Sequence, residues 1–311
     1  MAESINTRPA AGDSAAPKSN SAPSDVPSIG ITASQINGGA YSFLVNVAAQ
    51  VGKIRFASSR TDVDALIRAK GSVQKLVEKH FSNIIYNAET RRQNHTRFRD
   101  YTFVSLGGDC FVRTVLTRWG MKKTAAMGEL SCPFDLAVHP TAAVTELLAS
   151  DFANYFTGLE FSEELDCVVN PTLNIQFNHD KGRRFAENDY QELRTRYARR
   201  MQNFRALMGS EKPIHFIHHT KVSTAALAAE VEQLFRQITT LRANRPTHCI
   251  WIHTPPFESN EKFWMGDRGF CQQIIAPYPI KGYIWHRPRH SFSARGHAFE
   301  RKLAEKLAIL L

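Results

Sequence analysis

Cys110 sits in a context that can make a thiol reactive. It lies in the stretch Tyr101-Thr-Phe-Val-Ser-Leu-Gly-Gly-Asp-Cys-Phe-Val-Arg-Thr-Val-Leu-Thr-Arg-Trp-Gly120. Tyr101 to Leu106 is a short aromatic and β-branched run, the pattern of a buried strand. Gly107 and Gly108 break that run and permit a tight turn with positive φ. Beyond them Phe111, Val112, Val115, Leu116 and Trp119 recur at helical spacing. A strand, a glycine turn and a helix therefore meet at one sulfur. The first turn of a helix offers unpaired N–H groups and positive potential, which favour a thiolate and can hold an oxyanion. The sequence thus predicts an accessible, acid-shifted Cys110 thiol, with the backbone N–H groups near Gly108 and Cys110 holding the oxyanion in a turn of Gly107, Gly108 and Asp109. The competing reading is an inert buried cysteine, a common fate of free thiols.

A cysteine hydrolase needs a base within reach of the sulfur and a third group to orient that base. His179 and His290 are the two candidate bases. Asp180 follows His179 directly, but adjacent strand residues point to opposite faces, so that neighbour alone cannot orient the ring. Asp135, in Ser131-Cys-Pro-Phe-Asp135, either orients an imidazole or serves the turn. Asp109 is placed to cap the helix behind Cys110, and its carboxylate would raise the thiol pKa against the helix field. Arg199 and Arg200 lie on a helical stretch, where they either pair with Asp180 or Asp135 or form a solvated basic face. His218, His219, His253 and His286 match no standard zinc spacing, so no metal site is expected. No phosphate-binding glycine motif is present and no cofactor is expected. Cys132, Cys167, Cys249 and Cys271 read as structural.

The elements that must position these groups alternate. Short apolar runs at 173–177, 213–220, 248–254 and 282–286 read as strands. Helical patterns fill 140–150, 186–208, 222–243 and 293–311. Strands separated by helices imply crossovers and a mostly parallel sheet. The expected fold is an α/β three-layer core, with ligands bound outside the carboxyl ends of the strands. Asp109 and Cys110, His179 and Asp180, His218 and His219, His253, and His286 with His290 cluster at those ends.

The 311-residue chain has a hydrophobic fraction of 43%, enough for a buried core. Residues 1–35 are rich in Ser, Ala, Pro and Asn and are expected to be a disordered tail. Such a tail is either a linker or an uncleaved export signal of the kind bacterial effectors carry. Residues 36–97 form a helical extension, with a stripe from Val63 to Ile84 and a basic linker at 87–100, and the core occupies 98–311. No apolar run reaches the ~20 residues that span a membrane, and no secretory signal is apparent. Five unpaired cysteines suit a reducing, cytoplasmic compartment. The net charge of +10 admits an acidic partner, but the basic residues are dispersed and no nucleic-acid motif accompanies them, so nucleic acid is not the expected ligand.

Val104-Ser-Leu-Gly-Gly-Asp-Cys110, Trp119-Gly120, Pro133-Phe-Asp135, Asp151-Phe152, His179-Asp180 and Tyr197-Ala-Arg-Arg200 occur in one order across about residues 103–207. This array resembles an uncharacterised family whose name designates papain-like cysteine peptidases; one departure is Leu136, where the family commonly has Trp. The resemblance implies Cys110 as nucleophile, His179 as base and a peptide substrate. A second likeness is to SGNH-type esterases. Gly108-Asp-Cys110 resembles their Gly-Asp-Ser start, and the segment from His290 through Gly296 resembles their terminal block, although Arg287 stands where that block has Asp. It implies an ester substrate and His290 as base. The readings that follow are a cysteine peptidase or related hydrolase or acyl transferase, an SGNH-like esterase, and a non-catalytic binding module or secreted effector.

Overall fold

The computed structural model describes residues 89–124, 127–222, 224–291 and 293–311. The expected tail and most of the helical extension lie outside the described residues. The order is β1 (Thr102–Ser105), α1 (Phe111–Arg118), a 3-10 turn at Pro133–Asp135, α2 (Thr141–Ala149), β2 (Glu160–Ser162), β3 (Cys167–Asn170), β4 (Ile175–Lys181), a second 3-10 turn at Arg183–Phe185, α3 (Glu187–Met208), β5 (Ile214–Thr220), α4 (Ala225–Arg242), β6 (Thr247–His253), β7 (Trp264–Asp267), β8 (Gln272–Ile275), one helical turn at Pro288–Ser291 and α5 (Ala294–Leu310).

Five strands form one sheet in the order β1-β5-β6-β8-β7. β1, β5, β6 and β8 run parallel, and β7 returns antiparallel to β8. Helices flank the sheet on both sides, as the alternating pattern predicts. Alternation along the strands divides the core: Val104 and Phe216 pack with α2, α3 and α4, while Phe103, Ile217, Ile250 and Ile252 pack with α1 and α5. All seven residues of β5 are buried, as a central parallel strand covered on both faces should be.

Arg242 is fully buried at the end of α4. It donates to the carbonyls of Leu207, Met208, Ser210, Lys212 and Pro246, satisfying oxygens that the end of α3 leaves open. α5 is anchored to α1 through buried Glu300, which pairs with Arg118 and accepts from Trp119 Nε1 at 3.3 Å.

Three expectations are corrected. First, a second, antiparallel sheet holds β2, β3 and β4. The run at 173–177 therefore extends into β4, and carries His179 and Asp180 outside the parallel sheet. Second, 282–286 forms turns and no strand. Its apolar character is explained by Tyr283 and Trp285, which bury against α1 and α5. Third, residues 89–97 are helical and not a linker. Asn94 Nδ2 donates to Trp119 O at 2.7 Å, and a Cβ on Gly120 would stand 2.6 Å from Arg91 O, so this segment packs tightly on the end of α1.

No helix among the described residues is long and apolar enough to cross a membrane. Buried imidazoles make the core acid-sensitive. Burial depresses the pKa of His139 to about 3, and those of His215 and His218 to about 4. Unfolded imidazoles titrate near ~6.5, so below that pH the unfolded chain takes up protons that the folded chain refuses. Stability is therefore complete above ~6.5 and falls toward pH 4, by up to ~1.4 kcal/mol per pH unit for each such group. Urea unfolding at pH 7 and pH 5 measures this slope, and His218→Gln is expected to lower it by one imidazole's share.

Candidate active site

The turn leaving β1 follows the glycine reading. Gly107 and Gly108 have φ of +87° and +80°. A Cβ on Gly108 would lie 2.1 Å from His219 O, so only glycine lets the turn pass under the end of β5. Gly108 N donates to His139 O at 2.9 Å. That bond takes the Gly108 N–H out of the expected oxyanion turn, because it is already engaged inside the protein.

Asp109 turns away from the sulfur into a polar network. Its Oδ1 accepts from Phe111 N at 2.9 Å, the expected capping role, and from His219 Nδ1 at 2.9 Å. Its Oδ2 takes Lys221 Nζ at 2.8 Å and Trp285 Nε1 at 3.2 Å. His219 Nε2 in turn meets Thr254 Oγ1 at 2.8 Å. Burial works to raise the Asp109 pKa, but His219 and Lys221 outweigh it and hold the carboxyl well below the usual range. The carboxyl ends of β1, β5 and β6 are thus linked by the chain's own side chains. His218, beside it, bonds Leu106 O at 3.2 Å and Thr141 Oγ1 at 2.9 Å. No cluster of three or more metal-ligating side chains occurs among the described residues.

Cys110 stands just before α1, and its Sγ lies 2.9 Å from His179 Nε2. The cysteine is 3% exposed, whereas His179 is exposed at the rim of β4. Burial pushes the thiol pKa up to about 12, and the Asp109 and Asp135 carboxylates add to the rise; Arg113 and Arg200 act against them. The expectation of an accessible, acid-shifted thiol is therefore corrected, because the helix-start field is overcome by desolvation and by two carboxylates. Desolvation also lowers the His179 pKa, with Asp180 opposing. The resting pair is a neutral thiol facing a neutral imidazole.

The two halves of this pair come from different sheets, and the segment after the Pro133–Asp135 turn joins them. Val138 and Gln176 exchange backbone hydrogen bonds at 2.9 and 3.1 Å. The next residue, His139, accepts from Gly108 N. Cys110 and His179 are thereby fixed two and three residues from the ends of one backbone chain.

Asp135 is fully buried and accepts from Cys132 N at 2.8 Å, so its role is in the turn. It acts on Cys110 as a nearby charge. Asp180 points away from His179 into the protein, as strand alternation requires, and pairs with Arg196 and, at 3.7 Å, with Arg200. Arg200 stacks its guanidinium 4.3 Å over the Tyr197 ring. Arg199 is exposed and makes no ion pair among the described residues. His290 serves locally, its Nδ1 accepting from Ile284 N at 2.8 Å, and its ring stacks on Tyr283. Sequence reasoning placed His219 at a strand end without its Asp109 and Thr254 partners, and missed Thr254, Arg196 and Arg113. Only Arg113 carried a local signal, lying three residues beyond Cys110 on a helix and so on the same face.

Residues 101–251 match the model of a family described as "Putative papain-like cysteine peptidase (DUF1796)". The family likeness drawn from the motifs is shown over that region, which holds Cys110, Asp135, His179 and Arg200 and ends before His290. No curated protein and no solved structure matches the chain.

Two outcomes follow from this geometry. Gly108→Ala is expected to destabilise the fold by several kcal/mol. Gly128→Ala has a similar φ of +86° but nothing within 4 Å of the added methyl, and should cost only the ~1–2 kcal/mol of a left-handed residue. Urea denaturation of the two variants reads the difference. Alkylation of Cys110 by iodoacetamide should accelerate about tenfold per pH unit from pH 7 to 10, because the thiolate is scarce throughout. A fast, pH-independent rate near pH 6 would mean a resting thiolate–imidazolium pair instead.

Proposed function

We propose that Cys110 and His179 are the reactive dyad of a cysteine peptidase. The observation that carries this reading is the 2.9 Å approach of Sγ to Nε2, made between residues 69 apart in sequence. Hydrogen-bond reach between a nucleophile and a base is the first requirement of covalent catalysis. The family match over residues 101–251 supports the same reading and a peptide substrate.

The neutral resting pair suggests how the reaction proceeds. As Sγ forms its bond to the scissile carbonyl carbon, the thiol proton passes to His179 Nε2, so free thiolate need not accumulate. The carbonyl oxygen gains the negative charge, and the positive potential of Arg113 and Arg200, which already bears on the sulfur, favours it. The imidazolium then gives its proton to the leaving nitrogen, and the C–N bond breaks to leave a thioester on Cys110. Water, deprotonated by His179, attacks the thioester and restores the thiol. An amine or alcohol in place of water would make the same dyad an acyl transferase.

His179 Nδ1 makes no hydrogen bond among the described residues. Asp180 raises the basicity of His179 through space and does not orient it. In this reading the imidazole is held by its strand and by the sulfur itself.

The test compares two histidine variants. His179→Ala is expected to lower the hydrolysis of a fluorogenic peptide library by ~100-fold or more, the usual scale of a lost general base. His290→Ala should leave it within a few-fold of the unaltered chain. Loss confined to His290→Ala, with hydrolysis of esters only, would favour the esterase reading. A Cys110 no more reactive in the unaltered chain than in His179→Ala would favour a binding module.

A further inference from the structure

A cavity of about 820 Å³ opens between α3 and residues 128–131. It does not contain the Cys110–His179 pair, but Arg200 belongs to both places. Arg200 lines the cavity, and its charge is felt by Cys110 and by His179. Ser131, on the opposite wall, directly precedes the Cys132 to Asp135 turn whose carboxylate also acts on Cys110.

The charges lining this cavity are unequally satisfied. Glu129 is taken by Lys122 at 2.9 Å, and Glu192 by Arg196 at 2.9 Å, with Arg184 also near it at 3.9 Å. Arg196 is further neutralised by Asp180. The Arg199 side chain is exposed and has no ion pair or hydrogen bond among the described residues. Arg200 is 9% exposed, and its Nη1 is buried without a hydrogen bond, its nearest carboxylate oxygen standing 3.7 Å away. A buried guanidinium N–H without an acceptor is costly to maintain, and a carboxylate is its natural complement. Among the described residues Glu187 is the acid of the lining without an ion pair, and it lies at the start of α3, twelve residues before Arg199. The unneutralised positive charge of the lining is therefore that of Arg199 and Arg200, and Arg200 is also the residue whose charge bears on the dyad.

We infer that this cavity is a subsite for an acidic side chain, aspartate or glutamate, of the peptide that the dyad cleaves, held by Arg199 and Arg200. The inference rests on the dyad reading for its link to cleavage, and on the cavity alone for its ligand. Arg200 both lines the cavity and acts on the sulfur, so the acidic residue is expected close to the cleaved bond. The net charge of +10 works in the same direction, drawing acidic peptides toward the protein.

The experiment measures binding of fluorescein-labelled peptides to the full chain by anisotropy, at low and moderate salt. The peptides are identical except for two central glutamates replaced by glutamines. The glutamate peptide is expected to bind at least tenfold more tightly. Arg199→Gln should remove most of that preference and Arg199→Glu should reverse it; both change an exposed residue, and Cys110 alkylation should stay unchanged in each. Equal binding of the two peptides, or a preference that survives both variants, overturns the inference. The two failures are separable. A reactive Cys110 with no glutamate preference removes the subsite and leaves the dyad. An inert Cys110 with an Arg199-dependent preference leaves an acidic-peptide site and removes the peptidase.

Discussion

Two backbone contacts hold the candidate site together: Gly108 N to His139 O, and the paired bridge between Val138 and Gln176. Cys110 belongs to the turn after β1, an edge strand of the parallel sheet; His179 belongs to a separate antiparallel sheet. Nothing in either sheet alone brings sulfur and imidazole together. The short segment through Val138 and His139 does so, and it can only because residue 108 has no side chain. A methyl there would collide with His219 O, and the turn would lift away from the end of β5. The positioning of the dyad is therefore a property of main-chain hydrogen bonds, which tolerate little displacement, and not of flexible side chains.

The electrostatics follow from the same arrangement. Folding β4 over the start of α1 removes Cys110 from water, and desolvation then dominates the helix-start field. Asp109 is held ionised by His219 and Lys221 for the sake of the turn, and its charge pushes the thiol in the same direction. A sulfur in this setting is protected from adventitious oxidation and alkylation, since both need the thiolate. In the proposed reaction a base takes its proton during attack, so the 2.9 Å contact to a neutral imidazole matters more than the absolute pKa.

Much of this was legible in the sequence because it is local. The strand, the two glycines and the helix around Cys110 are set by patterns within twenty residues, as are the helices whose stripes pack on the parallel sheet. Strand alternation alone placed Asp180 on the face opposite His179. The hairpins β2–β3 and β7–β8 were not legible, since strands of three or four residues are too short for alternation to stand out. The run at 282–286 misled because aromatic burial against helices has the same composition as a strand. Cys110 burial was misread for a deeper reason: what covers the sulfur is a strand some seventy residues away, and no pattern near Cys110 records it. His179 emerged from a family resemblance and could not be preferred over His290 on spacing alone.

In open parallel α/β sheets the crevice beyond the strand ends is the usual ligand site. Here Asp109, His219, Thr254, Lys221 and Trp285 fill the ends of β1, β5 and β6 with internal bonds, and all but Lys221 are 8% exposed or less. Asp109, His219 and Thr254 even form an acid–imidazole–hydroxyl relay, but it is buried and its carboxylate is committed to the turn. Such a relay cannot meet a substrate without unfolding the sheet's end, so its contribution is to lock β1, β5 and β6 in register behind the cysteine. The Cys110–His179 pair lies at the β1 edge, where the second sheet supplies the histidine and α3 supplies Arg200. The proposed site is therefore at the seam between the two sheets, with the parallel sheet as its rigid support.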